Sequence, residues 1–502
     1  MLKLVKNKTS FNTLILFLFF TAIHYAMGYH FKIFYVLAMT GLLVVISRFT
    51  ITYRIIILFY TVIASFYLPV GLLYGYPDYN IFSSFYYTDS EEAKGFLTNI
   101  NLKYYALSIL LFAFGVFVSR LKFEIGKKSQ YAFLTFFIII TAISPIKAMS
   151  SGSWRLLLTS GLPEFRFFTE SLFYLDYLNQ EKKSVEGDDT FVSPTVNPKY
   201  NIYVVVIGES ARRDFMHSYG FPLENTPFMD NAPGYIFNNF ISAAGSTNLS
   251  LSHTLSMYPK MPNNLITLAN KAGFKTYWIS RQGIFGRHDG PVASIAKRAT
   301  ENHFVGGSQL IDDNVMSQDA PVIPKFIESL NQPGKHKLIV VHLIGSHSPF
   351  CERSFNAYDQ FYKSDKLSCY VQTIKNTDLL LSQLQKILVK QNTSWSMLYF
   401  SDHGLSFIDN QEDLIHGDKK RQNFEIPFFI TSSDATQQEV ISARRSAFSF
   451  LNLFAEWTGI SEKHINTSCK MISNQECDNQ NTVINFDKNT MNFDQLDHDD
   501  IQ

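Results

Sequence analysis

The chain of 502 residues is long enough for about two to four domains, and its net charge of +1 gives no reason to expect a nucleic acid partner. That average conceals a division, because residues 1–150 carry 13 Lys and Arg against 5 Asp and Glu, while residues 151–502 carry 31 against 38. A single small domain in one environment is therefore excluded, and the two parts are expected to have different surroundings.

Five apolar stretches, each suited to one bilayer crossing, occupy the first part of the chain. They lie at about residues 11–29, 31–47, 53–74, 104–120 and 130–148. The first stretch follows three lysines, as in a secretory signal peptide, but four more stretches follow it and no small-residue cleavage site is evident. The sequence therefore predicts a transmembrane domain of five helices over residues 1–150.

Lysine and arginine gather on one side of this predicted membrane domain. The N-terminus, residues 48–54 and residues 120–128 are basic, and all three fall on the same side if five helices cross. Basic loops resist translocation, so this side is expected to face the cytoplasm. The loop at 75–103 and everything after about residue 150 are then expected on the outer side.

A segment of mixed character, residues 151–198, follows the membrane part. Residues 162–178 carry an aromatic and aliphatic face interrupted by charges. This pattern suits a helix lying along the membrane surface, and equally an amphipathic helix packed on a soluble domain. Residues 181–199 contain two prolines and a charge cluster, which is typical of a linker.

From residue 199 to 484, strand-like and helix-like stretches alternate. Short apolar or β-branched runs lie at residues 203–207, 275–279, 338–344, 397–400 and 427–430, and helical patterns lie at 265–272 and 369–389. This alternation predicts an α/β domain with a mostly parallel central sheet. In such sheets the chemistry gathers beyond the carboxyl ends of the strands.

Three of these predicted strands end in residues that suit a metal site. The first is followed by Glu209, the third by His347, and the fourth by Asp402 and His403. Carboxylates and imidazoles beside glycines form a ligand set suited to zinc, with manganese less favoured. Taken singly, Asp402 and His403 would fit a capping aspartate and a surface histidine, but three strand ends together favour a metal site.

Residues 242–256 are rich in hydroxyl side chains and small residues. A helix starting there would present backbone amides able to hold a phosphate. A hydroxyl at that helix start, bound to zinc, would be a strong nucleophile. A Ser- and Thr-rich cap and loop without a catalytic role fits the same composition.

All four cysteines lie in the second part of the chain. Their even number and short separations suit an oxidising compartment. We expect Cys351 to pair with Cys369 and Cys469 to pair with Cys477. Four free buried thiols are the alternative, because pairing cannot be deduced from sequence alone.

Several ordered motifs resemble those of the membrane-anchored phosphoethanolamine transferases. They are residues 204–212 (VVVIGESAR), 219–220 (YG), 225–227 (NTP), 345–349 (GSHSP), 401–404 (SDHG) and 416–417 (HG). Five membrane spans before the catalytic domain are also that family's layout. The resemblance implies an alkaline-phosphatase-like, or sulfatase-like, domain in the periplasm, anchored by a multi-pass region in a Gram-negative inner membrane.

The resemblance also implies an activity and a set of site residues. Such enzymes move phosphoethanolamine from phosphatidylethanolamine, through a threonine, to lipopolysaccharide (lipid A or core) or another surface glycan. Position by position, Glu209, Asp402 and His403 match zinc ligands. His347 and His416 match the pair that handles the substrate phosphate or holds a second zinc ion.

The nucleophile position departs from the family pattern. Members carry a Cys-Gly-Thr stretch, then the nucleophilic threonine, then Ser-Leu-Pro three residues on. Thr247 has the expected Ser-Leu pair after it, but Gly245 is then one residue too close, and alignment on Gly245 would place Asn248 at the nucleophile position. We predict Thr247 as nucleophile and zinc ligand, with Ser246 as the lesser candidate.

The mechanism implied is a two-step transfer in which Thr247 takes the phosphoethanolamine and a histidine, His347 or His416, deprotonates the acceptor. A phosphoglycerol transferase, or a phosphodiesterase or sulfatase-like hydrolase, is the alternative on the same fold. A sulfatase would need a Cys/Ser-x-Pro-x-Arg motif, which the sequence lacks. An inactive membrane scaffold is the other alternative, favoured by the altered loop around Thr247.

The last residues, 485–502, are acidic and polar and have no apolar period. This composition predicts a solvated, mobile end. Residues 497–500 (DHDD) could bind a metal ion, but a charged flexible terminus is the favoured interpretation.

Overall fold

The computed structural model describes residues 2–87, 97, 100–151, 161–282, 290–311, 315–408, 413–499 and 501. The chain divides into two compact units. Unit 1 comprises residues 1–85 and 91–178, and unit 2 comprises residues 86–90 and 179–502.

Unit 1 is built of α-helices. The helices of this part of the chain are α1 (Leu2–Ala26), α2 (Ile33–Ile46), α3 (Thr50–Tyr74), α4 (Tyr79–Tyr87), α5 (Leu102–Val118), α6 (Lys127–Ser151) and α7 (Pro163–Ser184). Each predicted membrane span coincides with one of them, namely α1, α2, α3, α5 and α6. The predicted surface helix is α7, which continues into the predicted linker as far as Ser184.

The five apolar helices differ in length. Among the described helices, three could cross a membrane by length and composition: α1 from Lys8 to Ala26, α3, and α6 from Lys127 to Lys147. The other two, α2 and α5, have 14 and 17 residues. At 1.5 Å per residue they span about 21 and 26 Å, against a hydrocarbon core of about 30 Å.

Large apolar side chains also cover the outside of unit 1. Phe66 on α3 is 83 % exposed, and Leu102 on α5 is 81 % exposed. Exposed apolar area on this scale is unusual for a soluble monomer and suits a lipid environment.

An eight-stranded sheet forms the centre of unit 2. In chain order its strands are β1 (Ile202–Gly208), β2 (Gly234–Phe237), β3 (Lys275–Ser280), β4 (Glu301–Phe304), β5 (Lys337–His342), β6 (Trp395–Ser401), β7 (Phe428–Ser432) and β8 (Gln438–Ile441). Their spatial order is β8-β2-β7-β6-β1-β5-β3-β4. Only β7 runs antiparallel to its neighbours among the strands described in this sheet.

Shorter elements surround this sheet. The helices are α8 (Pro227–Asn231), α9 (Thr247–Leu255), α10 (Leu265–Lys271), α11 (Pro291–Ala296), α12 (Val322–Asn331), α13 (Phe350–Arg353), α14 (Asp365–Val389) and α15 (Phe450–Thr458). Short strands pair as Thr195–Val196 with Ile460–Ser461, Ser256–Met257 with Lys260–Asn264, Gln309–Leu310 with Met316–Ser317, Ser406–Ile408 with Asp413–Ile415, and Thr482–Ile484 with Thr490–Asn492. Phe240–Ile241, Glu425–Ile426 and Arg445–Ser446 form a three-stranded sheet.

The central position of β1 explains its unbroken apolar sequence. All seven of its residues are buried, since β5 and β6 flank it and both faces of the sheet are covered. Val205 packs in the core on one face, and Val204 packs in the core on the other. The register pairs Ile207 with His342 of β5 and Gly208 with Ser401 of β6, so the carboxyl ends of these three strands are level.

Both predicted disulfides are confirmed. Cys351 pairs with Cys369, which joins α13 to α14, and Cys469 pairs with Cys477. The alternative of four free thiols is therefore wrong.

Residues 485–499, predicted as a solvated, mobile end, form defined contacts with other parts of unit 2. A hairpin forms between Thr482–Ile484 and Thr490–Asn492, and Phe493 after it is 1 % exposed. The acidic side chains meet basic partners: Asp499 pairs with the buried Arg212. Composition identifies such a segment as polar, but it does not reveal a partner elsewhere in the chain. Of the predicted alternative metal site at 497–500, Asp500 lies outside the described residues.

Candidate active site

Three side chains predicted as metal ligands meet at the ends of β1 and β6. Glu209 follows β1, and Asp402 and His403 follow β6, so the level strand ends bring them together. Each is at most 1 % exposed. His403 Nε2 lies 3.4 Å from Glu209 Oε1 and 3.4 Å from Asp402 Oδ2.

Two unusual backbone positions fix the Glu209 carboxylate. Ser210 has a φ of 56°, its hydroxyl donates to Glu209 Oε1 at 2.6 Å, and its N–H donates to Asp402 Oδ1 at 2.9 Å. Gly345 has a φ of 46°, and a Cβ there would lie 2.9 Å from the backbone nitrogen of Glu209. A left-handed backbone at Ser210 is costly and persists where the surroundings hold it, as they do at functional sites.

Thr247 lies in the same place. It is the first residue of α9, and its hydroxyl donates to Glu209 Oε2 at 3.0 Å and lies 3.4 Å from His403 Nε2. The lesser candidate, Ser246, immediately precedes the helix, and its buried hydroxyl has no hydrogen-bond partner among the described residues. Thr247, unlike Ser246, therefore contacts two predicted ligands.

Gly245, whose spacing from Thr247 differs from the family pattern, lies in a close backbone contact. A Cβ at Gly245 would lie 1.8 Å from the carbonyl oxygen of Gly417, so the two backbones approach as only glycine allows. Gly417 directly follows His416. The loop before the predicted nucleophile thus rests on the loop that carries this histidine.

His416 lies nearer the predicted ligands than His347 does. One ligating atom each from Glu209, His403 and His416 lies within 4.8 Å of the others. The His416 ring centroid is 4.8 Å from that of His403 and 6.3 Å from that of His347. We call Glu209, Thr247, Asp402, His403 and His416 the strand-end cluster. His347 is half-buried beside it, and its Nδ1 lies 2.6 Å from the carbonyl oxygen of Ser348.

The charges of the strand-end cluster are strongly coupled. Burial alone would raise the pKa of Glu209, but His403 holds it well below its usual value. Burial, reinforced by the charge of Glu209, raises the pKa of Asp402 to about 8. Burial opposes the charged form of His403, yet the two carboxylates raise its pKa to about 9, whereas burial and the neighbouring His403 lower the pKa of His416 to about 3.

The residues present fit a metal ion. Asp402 Oδ2 is buried and accepts no hydrogen bond from any described residue, which is costly for a carboxylate oxygen. Carboxylate oxygens, imidazole nitrogens and a hydroxyl converge around it, and this donor set is one that zinc takes. A cation among these atoms would satisfy this oxygen, which has no hydrogen bond from the described residues.

Two residues that the sequence analysis missed support the cluster. Gln282 Nε2 donates to Glu209 Oε2 at 2.8 Å and to the carbonyl oxygen of Leu343 at 2.7 Å. Gln282 lies two residues after the end of β3, so the strand-end rule that pointed to Glu209 would also have pointed to it. The buried Asp319 accepts the N–H groups of Ile344 and Gly345 at 2.7 and 2.9 Å, and no sequence signal marks it.

The turn after Glu209 is held from a second side. Tyr370 Oη accepts the N–H of Arg212 and donates to the carbonyl oxygen of Ser210, both at 2.8 Å. The Arg212 guanidinium is fully buried and pairs with Asp214 at 2.6 Å and with Asp499 at 3.1 Å. The segment predicted to be mobile therefore supports the backbone that presents Glu209.

Known proteins share this sequence pattern. A family model described as sulfatase matches residues 201–460, a range that includes the whole strand-end cluster. The phosphoethanolamine transferase OpgE of Escherichia coli is 37 % identical over 472 residues, which cover 90 % of this chain and 89 % of that protein. The similarity therefore extends beyond the family model into the helical unit.

Solved structures share the fold at lower identity. The C-terminal periplasmic domain of EptC from Escherichia coli, solved in complex with zinc, has a TM-score of 0.53 at 20 % identity and covers 62 % of this chain and 98 % of its own. The integral membrane protein lipooligosaccharide phosphoethanolamine transferase A from Neisseria meningitidis has a TM-score of 0.51 at 15 % identity, with 92 % and 97 % covered. The second similarity includes an apolar helical region.

Proposed function

This chain belongs to the phosphoethanolamine transferases of the sulfatase family, and we propose that it moves phosphoethanolamine from phosphatidylethanolamine to lipopolysaccharide or another surface glycan. It is a transferase by this membership. The observation that carries the finer proposal is the Thr247 hydroxyl, which lies at a helix start against Glu209 and His403. A hydroxyl in this position suits nucleophilic catalysis, in which it carries the transferred group as a covalent ester.

Zinc is the metal that we propose for the strand-end cluster. Glu209, Asp402 and His403 would hold it together with the Thr247 hydroxyl, and His416 is near enough to take part or to help hold a second ion. When bound, zinc supplies Lewis-acid chemistry, favouring the ionised form of a hydroxyl and neutralising charge on phosphoryl oxygens. Zinc bound to the EptC domain, which shares the fold, supports this choice.

In the first step, Thr247 Oγ1 forms a bond to the donor phosphorus, and the bond from phosphorus to the diacylglycerol oxygen breaks. Diacylglycerol leaves with that electron pair and takes up the proton that the Thr247 hydroxyl gives up. The start of α9 offers backbone N–H groups to the phosphoryl oxygens, where negative charge develops. The product of this step is a phosphoethanolamine ester of Thr247.

In the second step, an acceptor oxygen attacks the same phosphorus, and the bond to Thr247 Oγ1 breaks. We assign the base that takes the acceptor proton to His347, because His347 lies beside the strand-end cluster but is not one of its converging metal-ligand candidates. Burial holds the pKa of His416 at about 3, so His416 is a weak base that stays neutral. His416 would therefore contact the substrate phosphate or the metal as a neutral imidazole.

For placement, we propose a multi-pass protein of a Gram-negative inner membrane with its catalytic unit in the periplasm. Five crossings put the basic segments on the cytoplasmic side. The short helices α2 and α5 would cross where the bilayer thins or where flanking residues extend to the interface. The two disulfides of unit 2 support an oxidising compartment.

Mass spectrometry of the full chain incubated with phosphatidylethanolamine tests the nucleophile. The peptide containing Thr247 should gain phosphoethanolamine, and Thr247→Ala should abolish this adduct while Thr254→Ala, on the same helix, retains it. An adduct that persists in Thr247→Ala, or that lies on Ser246, would contradict the assignment. Release of free phosphoethanolamine without transfer would indicate a hydrolase, and an adduct only from phosphatidylglycerol would indicate a phosphoglycerol transferase.

The acceptor requires a second measurement. Masses of lipopolysaccharide and of periplasmic glucans should be compared between cells with and without the protein. A phosphoethanolamine increment on either fraction identifies the acceptor, and cells carrying Thr247→Ala are the matched control. No increment on any glycan fraction, with the adduct present on Thr247, would contradict a glycan acceptor.

A further inference from the structure

Unit 1 buries a second group of ionisable side chains. His24 and Glu164 are 0 % exposed, Glu170 is 2 % exposed and Tyr29 is 7 % exposed, while the Arg166 side chain keeps 34 % of its surface accessible. We call these five residues the helix-end cluster. Burying ionisable groups in an apolar helical unit is costly, and such groups commonly mark a binding site or pathway.

The ion pairs and hydrogen bonds of the cluster centre on α7. His24 Nε2 lies 3.0 Å from Glu164 Oε1, which joins α1 to α7. Arg166 Nε donates to Glu170 Oε1 at 2.7 Å, and the Tyr29 hydroxyl donates to Glu170 Oε2 at 3.2 Å. Residues from two parts of unit 1 therefore converge on α7.

The pairing leaves acceptors without donors. Among the described residues, Glu164 Oε2 and His24 Nδ1 are buried with no hydrogen-bond partner. His24, the partner of Glu164, is charged only if protonated, so among the described residues Glu164 has no permanent cation beside it. A primary ammonium would correct both deficits, because it carries one positive charge and three N–H donors and has no acceptor.

Two aromatic rings contact the guanidinium of Arg166. The rings of Tyr29 and Tyr76 stack with centroids 5.5 Å apart and an interplanar angle of 12°. The Arg166 guanidinium lies 5.6 Å from the Tyr29 centroid and 5.2 Å from the Tyr76 centroid. Cation–π contact with two rings helps to keep the planar fork of the guanidinium in place, and that fork suits a phosphate.

Close backbone contact fixes this arrangement. A Cβ at Gly71 would lie 2.2 Å from the carbonyl oxygen of Ala26, and a Cβ at Gly28 would lie 2.0 Å from the carbonyl carbon of Gly75. Gly28 and Gly75 both have positive φ, at 78° and 93°. Glycine is needed where backbones approach so closely, so the ends of α1 and α3 are built to meet.

The position along the helices suits a lipid headgroup. His24 is in the last turn of α1, Tyr76 follows the end of α3, and Glu164 is in the first turn of α7. Ends of apolar helices lie at headgroup level, where tyrosines also gather. With the N-terminus on the cytoplasmic side, this end of α1 faces the outer leaflet.

We propose that the helix-end cluster binds the headgroup of a phospholipid that carries a primary ammonium, with the ammonium at Glu164 and His24 and the phosphate at Arg166. The identification of that lipid as phosphatidylethanolamine rests on the proposed function. Choline lipids would bind more weakly, because a trimethylated ammonium has no N–H to donate to Glu164 Oε2. Glycerol headgroups would lack the positive charge.

Native mass spectrometry of the full chain with Thr247→Ala, in detergent with added lipid, tests this site without turnover. Phosphatidylethanolamine should be retained about tenfold or more over phosphatidylcholine and phosphatidylglycerol. Glu164→Gln and Arg166→Lys should each remove most of this preference, while Glu124→Gln, at an exposed loop position, should keep it. The same measurement with Thr247 intact separates a consumed donor, which disappears as the adduct forms, from a resident lipid.

Equal retention of the three lipids would overturn the proposal. So would a preference unchanged in Glu164→Gln and Arg166→Lys when circular dichroism shows native helix content. If those variants fail to fold, the relative retention of the three lipids by the Thr247→Ala protein still tests the proposal. A missing adduct on Thr247 would contradict the proposed function alone, because lipid retention is measured in a protein that cannot form the adduct.

Discussion

The strand-end cluster of unit 2 and the helix-end cluster of unit 1 both bury a histidine beside carboxylates, yet they bond differently. In the strand-end cluster, Glu209 and Asp402 share His403, and their oxygens point toward a common centre. In the helix-end cluster, Glu164 has His24 and Glu170 has Arg166. Convergent donors suit a small cation at one point, whereas separate pairs suit an extended ligand with charge at both ends.

The supporting elements explain this difference. Parallel strands in register deliver residues from distant parts of the chain to one edge, where ligating atoms of Glu209, His403 and His416 come within 4.8 Å. Within the described part of the chain, this is where three such groups converge. Helix ends space side chains along an axis, because each residue advances about 1.5 Å. A sheet edge therefore favours a metal centre, and a bundle end favours a longer ligand.

The largest effect is expected from a substitution that disrupts the strand-end cluster alone. His403→Ala should remove zinc from the purified full chain and lower the kcat/KM for transfer by about a thousandfold or more, because a ligand is lost and two buried carboxylates lose their partner. Zinc is measured by inductively coupled plasma mass spectrometry. His464→Gln, on a partly exposed histidine, is the control and should retain zinc. Full zinc content in His403→Ala would contradict the ligand assignment.

A smaller effect is expected at Gln282. Gln282→Ala removes the N–H group that orients Glu209, and outer-shell changes of this kind cost about 10- to 100-fold in metal affinity or activity. Competition with a zinc chelator measures the affinity. Gln309→Ala, which removes a bond to the carbonyl oxygen of Ala320, is the matched control. If both variants bind zinc equally well, Gln282 has no role in positioning Glu209.

A stability effect is expected at Asp499. Asp499→Ala removes one of the two carboxylates that pair with the buried Arg212 and should lower the free energy of unfolding by about 1–3 kcal/mol. The control is Asp497→Ala, because Asp497 is 77 % exposed in its pair with Lys420 and should matter by about 0.5 kcal/mol or less. Thermal unfolding of the full chain compares the two. Equal unfolding midpoints for the two variants would show that Asp499 does not stabilise the protein through Arg212.

A pH-dependent effect is expected at a buried carboxylate outside both clusters. Asp378 accepts the N–H groups of Phe228 and Met229, and burial raises its pKa from 3.8 to about 7. A pKa raised in the folded state means that the contribution to stability is present below about pH 4 and lost as pH rises through about 7. Asp378→Asn should lose less stability than the unchanged chain between pH 5 and pH 8 in thermal unfolding. An identical loss in both would contradict the shift.

The parts of the site that the sequence predicted are those set by local pattern. A buried run that ends in Gly208 and Glu209 indicates a central parallel strand, and the known behaviour of strand ends then places Asp402 and His403 beside it. Thr247 was predicted from its motif despite the shifted glycine, and its hydroxyl lies beside Glu209 and His403. The backbone contact between Gly245 and Gly417 that accompanies this shift joins loops far apart in sequence.

The parts that the sequence did not predict depend on partners far away. Arg212 and Asp499 are 287 residues apart, and His24 and Glu164 are 140 apart. The segment around each of these side chains gives no indication of its partner. The sequence also gave no means of separating a crossing of full length from the shorter helices α2 and α5, because caps and turns decide where a helix ends.

The pairing of Arg212 with Asp499 determines when, during synthesis of the chain, the site can be completed. A chain leaves the ribosome from its N-terminus, so Glu209 emerges long before the segment that supports its turn. Arg212 cannot form these bonds until Asp499, which contributes both a carboxylate and a backbone carbonyl, has been synthesised. Maturation of the site is therefore a late event, and a fusion tag attached just after residue 499 would sit beside the turn that presents Glu209.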